Sequence, residues 1–165
     1  MTTKLIYVLF AMAFMISCSQ GTKNAEANVQ LVEKYVQAVE NLDYETMASL
    51  LDDNYVGYGP SYGDSIKKDE AVENWKFSSE NIYESIKYNR SRNAAVTVPD
   101  GDNKGEWVSN WAELSIHYQW TDVPVTLWAN SIYQIKNGKI IKSFTFYNEA
   151  DAYRQLGFEF IDVNN

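Results

Sequence analysis

The chain has 165 residues, enough for one domain whose core is large enough to fold alone. Its formal net charge is −8, and this acidic balance excludes binding to the phosphate backbone of nucleic acids, which requires a basic surface. Hydrophobic residues make up 45% and aromatic residues 15% of the sequence, which excludes intrinsic disorder and predicts that some rings line a cavity or an interface.

The N-terminal segment is typical of an export signal. Lys4 precedes an apolar run over residues 5–16 that is too short to span a bilayer but suits a signal peptide. The single Cys of the chain, Cys18, follows this run in a segment that resembles the lipobox of bacterial lipoproteins, although Met15 stands where Leu is usual. The resemblance implies that residues 1–17 are removed and that Cys18 is lipidated. The alternative is an ordinary signal peptide with an incidental Cys.

The segment that follows the signal is predicted to be a tether. Residues 18–27 are mostly small and polar and show no apolar periodicity. By resemblance to the sorting rules of Gram-negative bacteria, Ser19 rather than Asp after the Cys implies sorting to the outer membrane rather than retention at the inner one. We therefore expect a lipid-anchored cell-envelope protein whose folded domain spans residues 28–165.

Three helices are predicted before the long strands. Four valines recur at helical spacing between residues 29 and 39, so residues 28–41 are expected to form an amphipathic helix. Asp43 is suited to cap a second, short helix with an apolar face from Tyr44 to Leu51. After a strand over residues 54–58 and a glycine-rich loop, a third helix begins near Lys68.

From Ile86 onward the apolar residues recur with a period of two, which predicts strands near residues 86–98, 106–120, 124–136 and 139–147. Turn residues separate the strands, and residues 149–157 are predicted to form a short closing helix. Helices followed by long antiparallel strands predict an α+β domain in which the helices pack on one face of a curved sheet.

The common catalytic and cofactor motifs are absent from the sequence. There is no phosphate-binding GxxxxGK[ST], no GxSxG, no HExxH and no CxxC, and one Cys and one His exclude Cys-cluster and His-rich metal sites. The segment 57–63 misses the GxGxxG spacing by one residue, and 100–111 lacks the bidentate acid of a calcium loop. We therefore predict neither a cofactor nor a metal, and interpret these segments as a loop and a hairpin turn.

The order of these elements resembles the nuclear transport factor 2-like (NTF2-like) superfamily, in its SnoaL-like and ketosteroid-isomerase-like branches. The helix pair ending in Asp52-Asp53, the strand that runs to Pro60 and the last strand from Gly138 carry the resemblance, which covers nearly the whole chain after residue 28. It implies a cone-shaped α+β fold, in which helices and a curved antiparallel sheet enclose one deep pocket. It also implies a homodimer formed through the outer face of the sheet.

The resemblance allows the catalytic positions of ketosteroid isomerase to be compared with this sequence. That enzyme requires a carboxylate base and an oxyanion hole made of a Tyr and a protonated Asp. The oxyanion Tyr falls at Tyr35, the base at Gly59 and the second donor at Ser131. One of the three groups is present, and the missing base argues against this activity. Tyr35 is either a catalytic residue or a core aromatic residue whose hydroxyl is satisfied locally.

Period-two alternation assigns the strand residues to two faces of the sheet. The inner face is predicted to carry Leu114, Ile116, Tyr118, Leu127, Ala129, Ser131, Tyr133, Ser143, Thr145 and Tyr147. The residues expected to bind a ligand are Tyr35, Tyr55, Trp75, Tyr118, Ser131, Thr145 and Tyr147, with Trp75 closing the mouth. This lining is aromatic and hydroxylic without a carboxylate, which suits a moderately polar small molecule.

His117 is the single His of the chain, and His is the residue type most often used as a general base near neutral pH, so it is the remaining candidate for a catalytic base. Its strand places it with Trp111 and Glu113 on the outer face, where a surface or interface role is expected. A register shift of one residue would instead turn His117 into the pocket.

Two functional classes stay open at this point. The first is a cell-envelope protein that binds a small molecule or a partner without chemistry. The second is a SnoaL-like lyase, isomerase or cyclase that uses His117 or an unrecognised acid as its base. An ionisable side chain that projects into the deep pocket favours the enzyme, and a pocket lined only by Tyr, Trp, Ser and Thr favours the binding protein.

The outer face of the sheet predicts a homodimer. It is expected to carry Trp111, Trp128, Ile132, Phe144 and Phe146, a contiguous apolar patch larger than soluble monomers usually expose. A twofold partner that uses the same patch would cover these rings. The competing interpretation is a shifted register, which would place the rings in the pocket and leave the protein monomeric.

Overall fold

A computed structural model of the chain describes residues 24–161. The predicted signal peptide and Cys18 lie outside these residues. No helix within the described range is both long and apolar enough to cross a membrane.

Four helices form within the described residues, close to the predicted positions. Helix α1 occupies residues 24–40, so residues 24–27, which the sequence assigns to the tether, are helical. Helix α2 spans Tyr44–Leu50 and is capped as predicted, because the Asp43 carboxylate accepts hydrogen bonds from the Thr46 amide (2.9 Å) and hydroxyl (2.6 Å). Helix α3 spans Lys68–Asn81 and α4 spans Glu149–Gln155.

Six strands form one sheet. They are β1 (Leu51–Tyr58), β2 (Ser65–Lys67), β3 (Tyr83–Val98), β4 (Gly105–Tyr118), β5 (Val125–Lys136) and β6 (Lys139–Tyr147), in the order β2-β1-β6-β5-β4-β3. The four long predicted strands are therefore confirmed to within three residues at each end. Strand β2 was not predicted, because three residues are too few to show an alternation.

The sheet is mixed rather than wholly antiparallel, which corrects the predicted strand arrangement. Four of its five pairings are antiparallel, but β1 pairs with β6 in parallel. A short turn forces its two strands to be antiparallel, whereas β1 and β6 are joined by most of the domain and are free of that constraint.

The core lies between α1 and the inner face of the sheet. The largest fully buried side chains include Val32 and Val39 of α1 and Val108, Val125 and Ile140 of the sheet. Packing of α1 against the sheet fills one end of the concave surface and leaves the other end open. Helix α4 is tied to the rim of that open end, because the Gln155 side chain exchanges hydrogen bonds with the Thr126 backbone (2.9 and 2.8 Å).

Candidate ligand cavity

The open end of the fold is a cavity of about 650 Å³ between the helices and the inner face of the sheet. This volume is within the range of small-molecule sites. Every inner-face residue predicted from the alternation lies on its wall, together with Tyr35, Tyr55, Gly59 and Trp75. The predicted register is therefore confirmed, while ligand contact by these residues stays a prediction.

Four tyrosines surround the deep end of the cavity: Tyr35, Tyr55, Tyr88 and Tyr133. The rings of Tyr35 and Tyr133 meet edge to face, with centroids 5.5 Å apart. Burial raises the pKa of both phenols well above the usual value of 10.0, and the neighbouring tyrosines add to the shift. These hydroxyls are therefore protonated at neutral pH and can donate hydrogen bonds to a ligand.

The hydroxyls at the deep end are only partly paired with one another. The Tyr55 hydroxyl and Ser143 Oγ share a buried hydrogen bond of 2.7 Å, and Ser131 Oγ lies 3.1 Å from Thr145 Oγ1. Tyr35 lines the cavity, and its hydroxyl makes no hydrogen bond with any described residue. It is therefore a candidate hydrogen-bond donor to a ligand.

A band of rings, here called the aromatic rim, surrounds the mouth of the cavity and consists of Trp75, Tyr83, Tyr118, Trp120 and Tyr147. Adjacent centroids are 6.3 Å apart for Trp75 and Tyr83, 5.6 Å for Tyr83 and Tyr118, and 5.6 Å for Tyr118 and Trp120. Burial raises the pKa of Tyr83 and of Tyr147 to about 12. Trp120 is 58% exposed, so the rim extends from the interior to solvent.

One carboxylate lies on the wall, which corrects the prediction of a lining without acids. Glu149, the first residue of α4, lines the mouth, and its charge adds to the burial that raises the pKa of Tyr118 and Tyr147. The strand alternation missed Glu149 because it lies beyond the end of β6. Its position directly after the inner-face Tyr147 and the capping Asn148 was the available signal.

No other ionisable acid or base besides the tyrosines lines the cavity within residues 24–161. The same range holds no group of three or more His, Cys, Asp or Glu side chains that could bind a metal ion.

The three positions that resemble the ketosteroid isomerase site do converge on the cavity. Tyr35, Gly59 and Ser131 all line its wall. Gly59 has a φ of +98°, and a Cβ atom added there would lie 2.3 Å from the Thr145 carbonyl oxygen. A carboxylate is therefore not only missing at this position but also excluded by the backbone around it.

The outer face of the sheet holds the residues that the alternation assigned to it. His117 pairs with Ser85 of β3 and does not line the cavity. Trp111, Trp128 and Phe146 are 42%, 63% and 53% exposed. Ile132 and Phe144 are half-buried, the latter with its ring stacked on Tyr58 (centroids 4.9 Å apart) and Trp107 (6.1 Å).

Other wall residues were missed because they come from segments without a clear alternation. They include Tyr58, Asn74, Ser78, Tyr153 and Phe158, from the end of β1, α3, α4 and the segment after it. Trp120 was within reach of sequence reasoning, because it lies in the predicted strand 106–120 and shares the parity of Tyr118. Tyr88 was within reach of sequence reasoning, because it shares the parity of the buried Ile86 on β3.

No protein-family model matches the sequence, and no curated protein matches it. Solved structures do match, over most of the chain. A putative polyketide cyclase from Xanthomonas campestris pv. campestris has a TM-score of 0.66 and 14% identity, covering 81% of this chain and 98% of that one. A putative SnoaL-like polyketide cyclase from Shewanella denitrificans OS-217 has a TM-score of 0.63 and 12% identity, covering 79% and 96%. An NTF2-like protein from Burkholderia xenovorans LB400 has a TM-score of 0.60 and 13% identity, covering 79% and 96%.

These similarities confirm the fold that the order of elements predicted. The chain has the cone-like α+β fold of the NTF2-like superfamily, in the form shared by SnoaL-like and ketosteroid-isomerase-like proteins. At these identities the likeness concerns the fold, so the chemistry of the cavity has to be argued from its own residues.

Proposed function

We propose that this domain binds a small organic molecule in its cavity without transforming it. The observation that carries the proposal is the composition of the wall: rings and neutral hydroxyls from every side, with one carboxylate at the solvent-exposed mouth. Proton transfer requires an acid or base within reach of the reacting atom. The deep end offers phenols, which are protonated at neutral pH and whose pKa burial raises further, so it supports hydrogen-bond donation rather than proton abstraction.

The shape and polarity of the wall indicate the kind of ligand. Apolar side chains such as Ile86, Ile116 and Leu127 line the same cavity as the hydroxyl-bearing Tyr35 and Ser131. A ligand with an apolar body and a carbonyl or hydroxyl group at its inner end would satisfy both features. The Tyr35 hydroxyl is the donor that we expect to contact that group.

The ligand can be sought directly. The chain from residue 19 onward retains all described residues, and it should be purified without a tag and analysed by mass spectrometry for copurifying small molecules. The Tyr35→Phe variant, which removes one hydroxyl from the deep end, should carry less of the same compound. Recovery of an equal amount from both proteins would contradict a role of Tyr35 in binding, and recovery of a mixture of precursor and product would contradict binding without transformation.

We also propose that the domain is anchored to the cell envelope, at the outer membrane, through a lipid on Cys18. The support is the position of the only Cys at the end of the apolar run. Metabolic labelling with a fatty acid should mark the wild-type protein and leave the Cys18→Ser variant unmarked. Label that persists in the variant would refute the anchor, and membrane fractionation of the wild type tests the outer-membrane location.

A homodimer through the outer face of the sheet is the proposed assembly. It is supported by three large exposed rings on one face, those of Trp111, Trp128 and Phe146, which a twofold partner would cover. Sedimentation equilibrium should give a dimer for the wild type and a folded monomer for Phe146→Glu. A wild-type protein that stays monomeric at micromolar concentration would exclude this assembly.

The second candidate function is that of a SnoaL-like lyase, isomerase or cyclase, and the observation that favours it is Glu149 on the cavity wall. The sequence left two candidates for the base, His117 or an acid that had not been recognised. His117 does not line the cavity, so Glu149 is the acid that this function would use. Incubation of the copurified compound with fresh protein distinguishes the two functions. Turnover that Glu149→Gln abolishes would support the enzyme, and an unchanged compound supports the binding protein.

A further inference from the structure

The mouth of the cavity combines the two features that recognise an organic cation. The first is the aromatic rim, whose five rings line the same opening and whose measured centroid separations are 5.6–6.3 Å. The face of an aromatic ring carries negative potential and attracts an ammonium group placed over it. The second feature is the Glu149 carboxylate, which lies close enough to Tyr118 and Tyr147 to perturb both phenols.

The charge at the mouth is not neutralised by the protein. Glu149 makes no ion pair and no side-chain hydrogen bond with any described residue. Arg154, the basic residue of α4, lies over the ring of Phe160 instead, 5.6 Å from its centroid. Among residues 24–161 no Lys, Arg or His lines the cavity, so the wall carries one formal charge and it is negative.

The electrostatics therefore select against anions and in favour of cations. An anion at the rim would meet the Glu149 carboxylate and the negative faces of the rings, with no basic side chain on the wall to compensate. A compact ammonium ion would lose too much hydration there, whereas an alkylated ammonium group is weakly hydrated and can pack against the ring faces. The net charge of −8 also favours the approach of a cation.

We propose that the aromatic rim and Glu149 form a binding subsite for an alkylated ammonium group. The inference rests on the proposed binding function and assigns the class of ligand: an organic amine whose apolar body extends toward the deep tyrosines. Tyr118 and Trp120 supply ring surface at the opening, and Glu149 supplies the counter-charge.

The test uses three probes of nearly the same size on the protein purified from expression of the whole chain. They are benzyltrimethylammonium, its neutral carbon analogue neopentylbenzene, and the anion benzylsulfonate. Calorimetric or NMR titration gives the affinities, and the indole N–H signals of Trp75 and Trp120 report whether the rim is the site. We expect the ammonium probe to bind at least about ten times more tightly than the neutral analogue, with no measurable binding of the anion.

Two variants separate the charge from the rings. Glu149→Gln removes the charge at an exposed position and should reduce the preference for the ammonium probe by about threefold to tenfold. The matched control is Glu33→Gln, on the exposed side of α1 and off the cavity wall, which should leave the preference unchanged. Trp120→Leu alters a ring that is 58% exposed, so the fold should persist while the ammonium probe loses more affinity than the neutral one.

The outcomes distinguish this subsite from the binding function on which it rests. Equal binding of the ammonium and neutral probes would overturn the cation subsite and leave the cavity as a binding site. Stronger binding of the anion, or an ammonium preference that Glu33→Gln lowers as much as Glu149→Gln, would also overturn it. If neither probe shifts the indole signals, the subsite is refuted, and the search for a copurifying ligand decides the binding function separately.

Discussion

Gly59 offers a direct test of why this cavity lacks a general base. The position corresponds by resemblance to the catalytic carboxylate of ketosteroid isomerase, so Gly59→Asp is the substitution that would supply that group. The structure argues that neither Asp nor Ala can be accommodated, for two separable reasons. The backbone has a φ of +98°, and the added Cβ atom would meet the Thr145 carbonyl oxygen at 2.3 Å, where Cβ atoms essentially never approach within 3.0 Å.

The magnitude follows from these two contributions. Holding a residue with a Cβ atom in a left-handed conformation costs about 1–2 kcal/mol. Displacing the Thr145 backbone adds about 1–3 kcal/mol, because Thr145 is fixed in the β5–β6 ladder opposite Ser131. Gly59→Ala should therefore lower the free energy of unfolding by about 2–5 kcal/mol, which is a large part of the stability of a typical domain.

The assay is urea unfolding, and Gly63 provides the matched control. Gly63 has a φ of +93°, but a Cβ atom added there has no neighbour within 4 Å. Gly63→Ala should therefore show the conformational cost alone, about 1–2 kcal/mol. If the two alanine variants lose the same stability, the close approach of Thr145 does not limit position 59 and this account of the missing base is wrong.

Three further predictions concern the cavity tyrosines. Tyr55→Phe should cost about 1–2 kcal/mol of unfolding free energy, and a double-mutant cycle with Ser143→Ala should show coupling, because the two hydroxyls share a buried 2.7 Å hydrogen bond. Tyr35→Phe should change stability by less than about 0.5 kcal/mol, since its hydroxyl has no partner among the described residues; a loss equal to that of Tyr55→Phe would reveal a hidden partner. Raising the pH above 10 should destabilise the protein, because tyrosines ionise first in the unfolded chain, while burial holds the folded-state pKa of Tyr83 at about 12. Urea unfolding should show a decline of about 1.4 kcal/mol per pH unit for each such tyrosine, and Tyr83→Phe should reduce that slope.

Much of the fold could be predicted because the deciding signals are local. The valines of α1, the Asp43 cap and the alternation of the strands each act over a few residues, so their meaning does not depend on distant contacts. The same alternation identified which side chains of β4, β5 and β6 face the cavity, since a strand with one buried face tolerates only one register.

Only the tertiary structure decided the parts of the site that come from separate segments. Glu149 stands beyond the end of β6, where no periodicity applies, and the path of the chain brings it to the same mouth as Trp120. The parallel pairing of β1 with β6 likewise depends on how distant segments meet. Gly59 shows the limit of sequence reasoning most clearly. The sequence shows that a carboxylate is missing at this position. The reason that no side chain fits there, which is the φ of +98° and the nearby Thr145 carbonyl, exists only once β1 and β6 lie side by side.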